Sequence, residues 1–211
     1  MDRPTIHLRA AKPDLDDGRL FARYLDQAAE GFFRFLLGRR KEDILAAAFV
    51  EPGHDLSHEN VTFAERDGDV VGMISGYSAE QHRRSSDRPL RDAADRSNLR
   101  MMTVAIVFAP LLRALDSLAD GDYYLQAVAV EPRVRGEGLG TLLMDFIEAR
   151  AVEAGSGRLA LDVSAKNEGA RRLYERRGMV VESQWPKRLR IPGLKLLRMA
   201  KPLPDGVHGR T

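Results

Sequence analysis

The chain contains no cysteine, which removes disulfide bridges, thiolate metal sites and a cysteine nucleophile in one step. It has no excess of one charge either. Lys and Arg number 33 against 31 Asp and Glu, a formal net charge of +2, which leaves no electrostatic footprint for nucleic acid. Long hydrophobic runs are missing too. The longest apolar stretch, about 101–112, contains Pro110 and falls short of the ~20 residues that span a bilayer. The opening residues, MDRPTIHLRA, lack the apolar core of a secretory leader. These absences predict a soluble, cytoplasmic protein with no membrane and no nucleic-acid partner. No metal is expected: His54 and His58 flank a loop, and no cysteine is at hand to complete a site.

What is present is ordinary for a globular chain: 211 residues, 44% hydrophobic and 30% charged. That is enough to bury a core without staples. The patterning predicts one α/β domain over 5–201 and a loose tail over 202–211. A strand at Thr5–Ala10 precedes helix from Leu15, with a bend at Gly31, a stop at Gly38, and a second helix over Glu42–Phe49. Val61–Glu65 and Val70–Tyr77 flank Asp67-Gly68, the signature of a tight hairpin. Residues 79–121 read as a helical insertion between the third and fourth strands, broken at Pro110. Tyr123–Val130 is a nearly unbroken apolar strand suited to the middle of a sheet. Leu139, Leu142, Leu143, Phe146 and Ile147 form the apolar face of the next helix. Leu159, Leu161 and Val163 alternate on a strand, Asn167–Arg177 is helical, and 179–183 and 194–199 are the final strands.

The central signal is the junction VAVEPRVRGEGLGT at Val128–Thr141. A strand runs into a glycine loop and then directly into a helix. The first amides of a helix have no internal partners and point outward with the positive end of the dipole, a setting suited to phosphate. Several loops share that logic. A P-loop needs Gly-Lys-Ser/Thr, and Gly140 is followed by Thr141 without lysine. A dinucleotide loop needs G-x-G-x-x-G, and Gly136, Gly138 and Gly140 give G-x-G-x-G. A tight turn holding no ligand is the plain alternative. Asp162 lies where a ribose-binding acid would fall, though it sits among apolar strand residues.

Arg135-x-x-Gly138-x-Gly140 resembles the acetyl-CoA signature of the GNAT superfamily of N-acetyltransferases. Asn167-Glu168-Gly169-Ala170-Arg171-Arg172-Leu173-Tyr174 resembles that superfamily's second motif. The two stand in the expected order, and the resemblance covers about 123–184. It implies the acyl-CoA N-acyltransferase fold: α/β, with a mixed central sheet flanked by helices. It also implies acetyl-CoA as cosubstrate. Arg135, Gly136, Gly138, Leu139, Gly140 and Thr141 are then expected to cradle the pyrophosphate. Val128, Ala129 and Val130 would line the pantetheine arm, with main-chain groups of Val128 and Val130 offered to it, while Asn167 hydrogen-bonds the arm or caps its helix. Asn167 and Tyr174 are seven positions apart and so share a helical face, with about 10 Å between them along the axis.

The implied chemistry is direct attack of a primary amine, from a small molecule or a peptide, on the thioester. Tyr174 is the expected donor to the leaving sulfur. A phenol giving a full proton to a thiolate runs uphill by about 2 kcal/mol. Freeing the attacking amine needs a base, a water chain or desolvation; Asp122 and Glu80 are the candidate bases, against the plainer reading of each as a solvated surface carboxylate. The basic residues Lys187, Arg188, Arg190, Lys195 and Arg198 face solvent, an acidic acceptor or the coenzyme's 3′-phosphate, and Trp185 lines the acceptor pocket or closes the core. The 79–121 insertion shapes the acceptor site or a homodimer contact. Two other readings stay open: a non-catalytic acyl-CoA sensor of the same fold, and a nucleotide-binding Rossmann-type domain.

Overall fold

The computed structural model describes residues 5–94, 101, 103, 117–186 and 195–204. Among these the chain runs β1 (Ile6–Ala10), α1 (Leu15–Ala28), α2 (Phe32–Leu37), α3 (Lys41–Val50), β2 (Val61–Arg66), β3 (Asp69–Ser78), α4 (Ala79–Arg84) and α5 (Arg88–Ala94). It continues through β4 (Asp122–Val130), α6 (Leu139–Glu153), β5 (Arg158–Ser164), α7 (Glu168–Arg176), β6 (Val180–Trp185) and β7 (Leu196–Pro202). The described strands make one seven-stranded sheet in the order β1-β2-β3-β4-β5-β7-β6. Only the β4–β5 pair is parallel. This is the expected mixed sheet flanked by helices.

Local chemistry explains the boundaries. The Asp14 side chain caps α1 by accepting from the Asp17 amide, which satisfies an otherwise orphaned donor. Asp67 and Gly68 both adopt positive φ, 53° and 85°, the pairing that lets a two-residue turn follow the twist of β2 and β3. Gly18 is where α1 meets α3: a Cβ there would lie 2.9 Å from the Ala46 Cα, so only glycine permits that approach.

The sheet separates two apolar layers. On one face Leu139, Leu143, Met144 and Ile147 of α6 pack with Leu125, Leu159, Leu161 and Tyr174. On the other, Phe21, Tyr24 and Leu25 of α1 pack with Ile44, Leu45 and Phe49 of α3 over Phe63, Met73, Ala127 and Ala129.

Three expectations need adjustment. Leu142 is exposed and Met144 takes its place in the core, because the buried stripe of α6 runs through Leu139, Leu143, Met144, Ile147 and Ala151. The chain after Lys201 is held: β7 reaches Pro202, the Leu203 amide donates to the Gly157 carbonyl at 2.8 Å, and Leu203 is buried. Within the insertion, 79–94 forms α4 and α5. Apart from Met101 and Thr103, the apolar run with Pro110 lies outside the described residues, as do Lys187, Arg188, Arg190 and 205–211.

Candidate functional site

The β4–β5 ladder is short. It pairs Asp122 with Arg158 through to Leu125 with Leu161, yet β4 continues to Val130 and β5 to Ser164. Past Leu125 the two strands part and leave an open wedge. A bulge accompanies the parting. Ser75 pairs with Ala127 while Gly76 pairs with Leu125, so Gln126 is the extra residue that bends β4. Gly76 makes the bend feasible, since a Cβ there would come within 2.7 Å of the Tyr124 carbonyl oxygen. The Ser75 hydroxyl donates to the Gln126 Oε1 at 3.1 Å.

Beyond the bulge, the Glu131 amide donates to the Val71 carbonyl at 2.9 Å. Main-chain groups alternate sides along a strand, so Ala129 faces β3 while Val128 and Val130 face the wedge. Ala129 borders the cleft, but its amide faces β3 and its side chain packs into the α1–α3 core. The Val130 carbonyl already accepts from Arg135 Nε at 3.1 Å and from Gln27 Nε2 at 3.3 Å. Arg135 thus ties the loop back to the strand that feeds it. The same strand end is held to α1, where the Tyr24 hydroxyl lies 3.0 Å from both the Val70 carbonyl and Glu131 Oε1.

The glycine loop leads into α6 through Gly136 and Gly138, at φ 83° and 91°, a region costly for other residues. Gly138 is the N-cap, and no side chain caps the helix. The Thr141 and Leu142 amides fold back onto the Gly138 carbonyl at 3.0 and 3.1 Å. The amides just before them, Leu139 and Gly140, have no acceptor among the described residues and are the donors on offer to an anion. The Leu139 side chain is buried in the core, so only its main chain is available.

Across the wedge, Asn167 caps α7: its Oδ1 accepts from the Ala170 amide at 3.1 Å. Its amide nitrogen has no acceptor among the described residues. Tyr174 is 6% exposed, and burial raises its phenol well above the ordinary range. Its hydroxyl has no protein partner among the described residues. Gly138, Gly140, Val128, Asn167 and Tyr174, well separated in sequence, all line one cleft of about 1850 Å³. That is larger than the several hundred Å³ of a site for one small ligand.

The surplus lies toward α2 and α4, where the sequence predicts that the 79–121 segment shapes an acceptor site and points to Asp162 and Arg198, but singles out neither His82 nor Asp55. There the His82 Nδ1 lies 2.7 Å from Asp55 Oδ2, and its ring stacks on Tyr77 at 5.6 Å and 13°. The Tyr124 hydroxyl donates to Asp162 Oδ2 at 3.0 Å, and Arg198 grips the same carboxylate at 2.7 and 2.9 Å. Burial, with the Asp162 charge second, raises the Tyr124 phenol well above its ordinary range. Phe32, Phe33 and Phe35 of α2 supply an apolar wall. The one available signal was scarcity, since the chain has only 5 histidines.

The two carboxylates expected as bases fall elsewhere. Asp122 is 2% exposed and bound to Arg158 at 2.9 Å, a structural ion pair rather than a solvated group. Glu80 is paired with Arg84 on the surface. Neither lines the cleft. Lys195 does, whereas Arg198 is occupied by Asp162 and Trp185 ends β6 away from the lining. The His54 Nε2 lies 2.9 Å from the Ala48 carbonyl and the His58 Nδ1 3.2 Å from that of Phe49. Among the described residues no cluster suits a metal ion and no helix is long and apolar enough to cross a membrane.

Comparison with known proteins adds to this geometry. The sequence pattern of the Acetyltransferase (GNAT) family matches residues 25–179. No curated protein matches the chain. Among solved structures, an acetyltransferase shares 24% identity over 94% of this chain and 100% of its own, with a TM-score of 0.65. The N-acetyltransferase from Staphylococcus aureus Mu50 shares 16% over 92% of this chain and 100% of its own, at 0.62. The ribosomal-protein-S18-alanine N-acetyltransferase from Escherichia coli shares 16% over 98% and 100%, at 0.50. At such identities the likeness speaks for the fold.

Proposed function

The chain belongs to the GNAT family of acetyltransferases, and from that premise we propose that it transfers an acetyl group from acetyl-CoA to a primary amine by direct attack. The observation that carries this reading is the wedge between β4 and β5. It has uncapped helix amides at one end, an unpaired strand edge along one side and Tyr174 on the other wall. Leu139 and Gly140 would offer amides to the pyrophosphate, and Arg135 and Gly136 would hold the loop in the required shape. Val128 would give its main chain to the pantetheine arm, and the Asn167 amide nitrogen would donate to it. Acetyl-CoA supplies the activated thioester carbon, and positioning accounts for much of the acceleration.

Burial refines the part assigned to Tyr174. A raised phenol pKa makes complete transfer to a thiolate more unfavourable and keeps the hydroxyl protonated at all working pH values. Tyr174 therefore acts as a hydrogen-bond donor to charge developing on sulfur. The absence of any cysteine agrees with a route lacking a covalent enzyme intermediate.

The acceptor is a small-molecule or peptide amine, and the domain runs from residue 5 to at least Leu203 in a soluble protein of the cytoplasm. Calorimetry with acetyl-CoA and with NAD, followed by free-thiol release across a panel of primary amines, tests the reading. Heat with acetyl-CoA alone, and thiol release dependent on an amine, is the expected result. Binding without turnover would identify a sensor. No binding would end the proposal.

A further inference from the structure

His82 sits on α4, directly after β3, and its helix is fixed at the start by a capping box between Ser78 and Gln81. Its Nδ1 faces Asp55 Oδ2 at 2.7 Å. An ionised carboxylate only accepts, so Nδ1 carries the hydrogen and the lone pair of the neutral ring is at Nε2. Asp55 is itself held. Its amide donates to Ser85 Oγ at 3.0 Å, and its carbonyl accepts from Asn60 Nδ2 at 3.4 Å. Stacking on Tyr77, which lies 5.6 Å from Tyr124, fixes the plane of the ring against the cleft floor.

The other carboxylates and the other histidine lining the cleft, apart from Asp55 itself, are committed elsewhere or held by nothing among the described residues. Asp162 is bound by Arg198 and Tyr124. Asp87 is paired with Arg91 at 2.7 Å. His54 is buried with Nε2 against the Ala48 carbonyl and Nδ1 accepting from the Leu56 amide at 3.3 Å. Glu30 is exposed on the turn after α1, and nothing among the described residues orients its carboxylate. His82 alone among these has an oriented ring and an Nε2 without a partner among the described residues.

We propose that His82, oriented by Asp55, accepts the proton that the acceptor's ammonium must lose before it attacks. The proposal rests on the acyl-transfer reading and deepens it. The ammonium gives one proton to Nε2 through water in the cleft, and Asp55 stabilises the resulting imidazolium. The amine nitrogen then forms a bond to the thioester carbon while the carbon–sulfur bond breaks. The second nitrogen-bound proton leaves with the thiolate, producing amide and thiol, and His82 returns its proton to solvent. His82 is the catalytic residue and Asp55 a positioning residue.

Among the described residues, the charged and titratable groups around the ring are these. Asp55 comes from the loop after α3, Tyr77 from β3 and Tyr124 from β4, the last with Asp162 of β5 and Arg198 of β7 behind it. On its own helix Glu80 pairs with Arg84, and Arg83 with Asp120.

The test compares wild type, His82→Gln, Asp55→Asn and Asp55→Glu. Acetyl-CoA affinity is read by calorimetry, and thiol release with primary amines is followed from neutral to alkaline pH. His82→Gln is expected to lose about 10²-fold in kcat/KM near neutrality, with unchanged acetyl-CoA affinity and a deficit that shrinks as alkali frees the amine. Asp55→Asn should follow it in part, and Asp55→Glu should recover. Nitrogen NMR of the imidazole should give the Nδ1–H tautomer in wild type and lose that preference in Asp55→Asn. A pH profile of His82→Gln superimposable on wild type, or an Nε2–H tautomer in wild type, overturns the dyad while acetyl-CoA binding and turnover leave the wider reading intact. Intact binding with no amine acetylated by wild type overturns both.

Discussion

Main-chain atoms build one end of the cleft, and side chains build the other. Toward α6 and α7 the groups on offer are helix amides, an unpaired strand edge and two positive-φ glycines, with Tyr174 and Asn167 as the chief side chains. Toward α2 and α4 they are His82 with Asp55, Tyr124 with Asp162 and Arg198, and a wall of phenylalanines. The first end depends on backbone conformation and tolerates varied side chains around it. The second depends on particular functional groups that the backbone places but does not name. A site made of backbone suits a constant ligand, and one made of side chains suits a ligand that differs from protein to protein.

The contrast can be broken most forcefully at Arg198. Arg198→Met leaves the Asp162 carboxylate, 10% exposed, without its counter-ion, and losing one partner of a buried pair costs about 3–5 kcal/mol. Urea unfolding should register that loss. A change below about 1 kcal/mol would mean that water already compensates the carboxylate, and that the side-chain end is looser than described.

Tyr174→Phe probes the backbone-built end at its main side-chain dependence. Removing a hydrogen bond to developing charge should lower kcat by about tenfold to a hundredfold, from a loss of about 1.5–3 kcal/mol. Acetyl-CoA affinity should stay within twofold or so of wild type. Equal kcat values in stopped-flow single turnovers would remove Tyr174 from the chemistry.

Gly138→Val attacks the backbone itself. A β-branched residue at φ 91° costs about 1–2 kcal/mol, and the loop should relax away from the geometry that exposes its amides. Acetyl-CoA is expected to bind at least tenfold more weakly, about 1.4 kcal/mol. Unaltered affinity would show that the helix terminus contributes nothing to the anion. The smallest effect belongs to Phe35→Ala. Phe35 is 50% exposed, so stability should change by about 0.5 kcal/mol or less. The acceptor KM should rise while the acetyl-CoA KM does not.

The same division decided what the sequence could reveal. Glycines at 136, 138 and 140 are spaced by the turn they make, and Asn167 and Tyr174 by the pitch of one helix, so both patterns survive as strings of letters. The hairpin at Asp67-Gly68 and the alternation of β5 are legible for the same reason. His82 and Asp55 are brought together by tertiary folding, from a helix after β3 and a loop after α3, and no periodicity links them. Asp122 misled in the opposite direction. Its position at the start of a central strand suggested access to the cleft, whereas Arg158, the parallel neighbour in register with it, turns it into a buried ion pair. Tertiary pairing of that kind has no local trace.

The sheet order carries a consequence for how the molecule is made. β7, the last of the described strands, lies between β5 and β6. Until it emerges from the ribosome, β5 presents a bare edge and β6 has nothing to pair with. The unfinished half-sheet is then open to pairing with strangers. Completion of this sheet therefore waits on β7, and it is sealed when Leu203 closes onto Gly157.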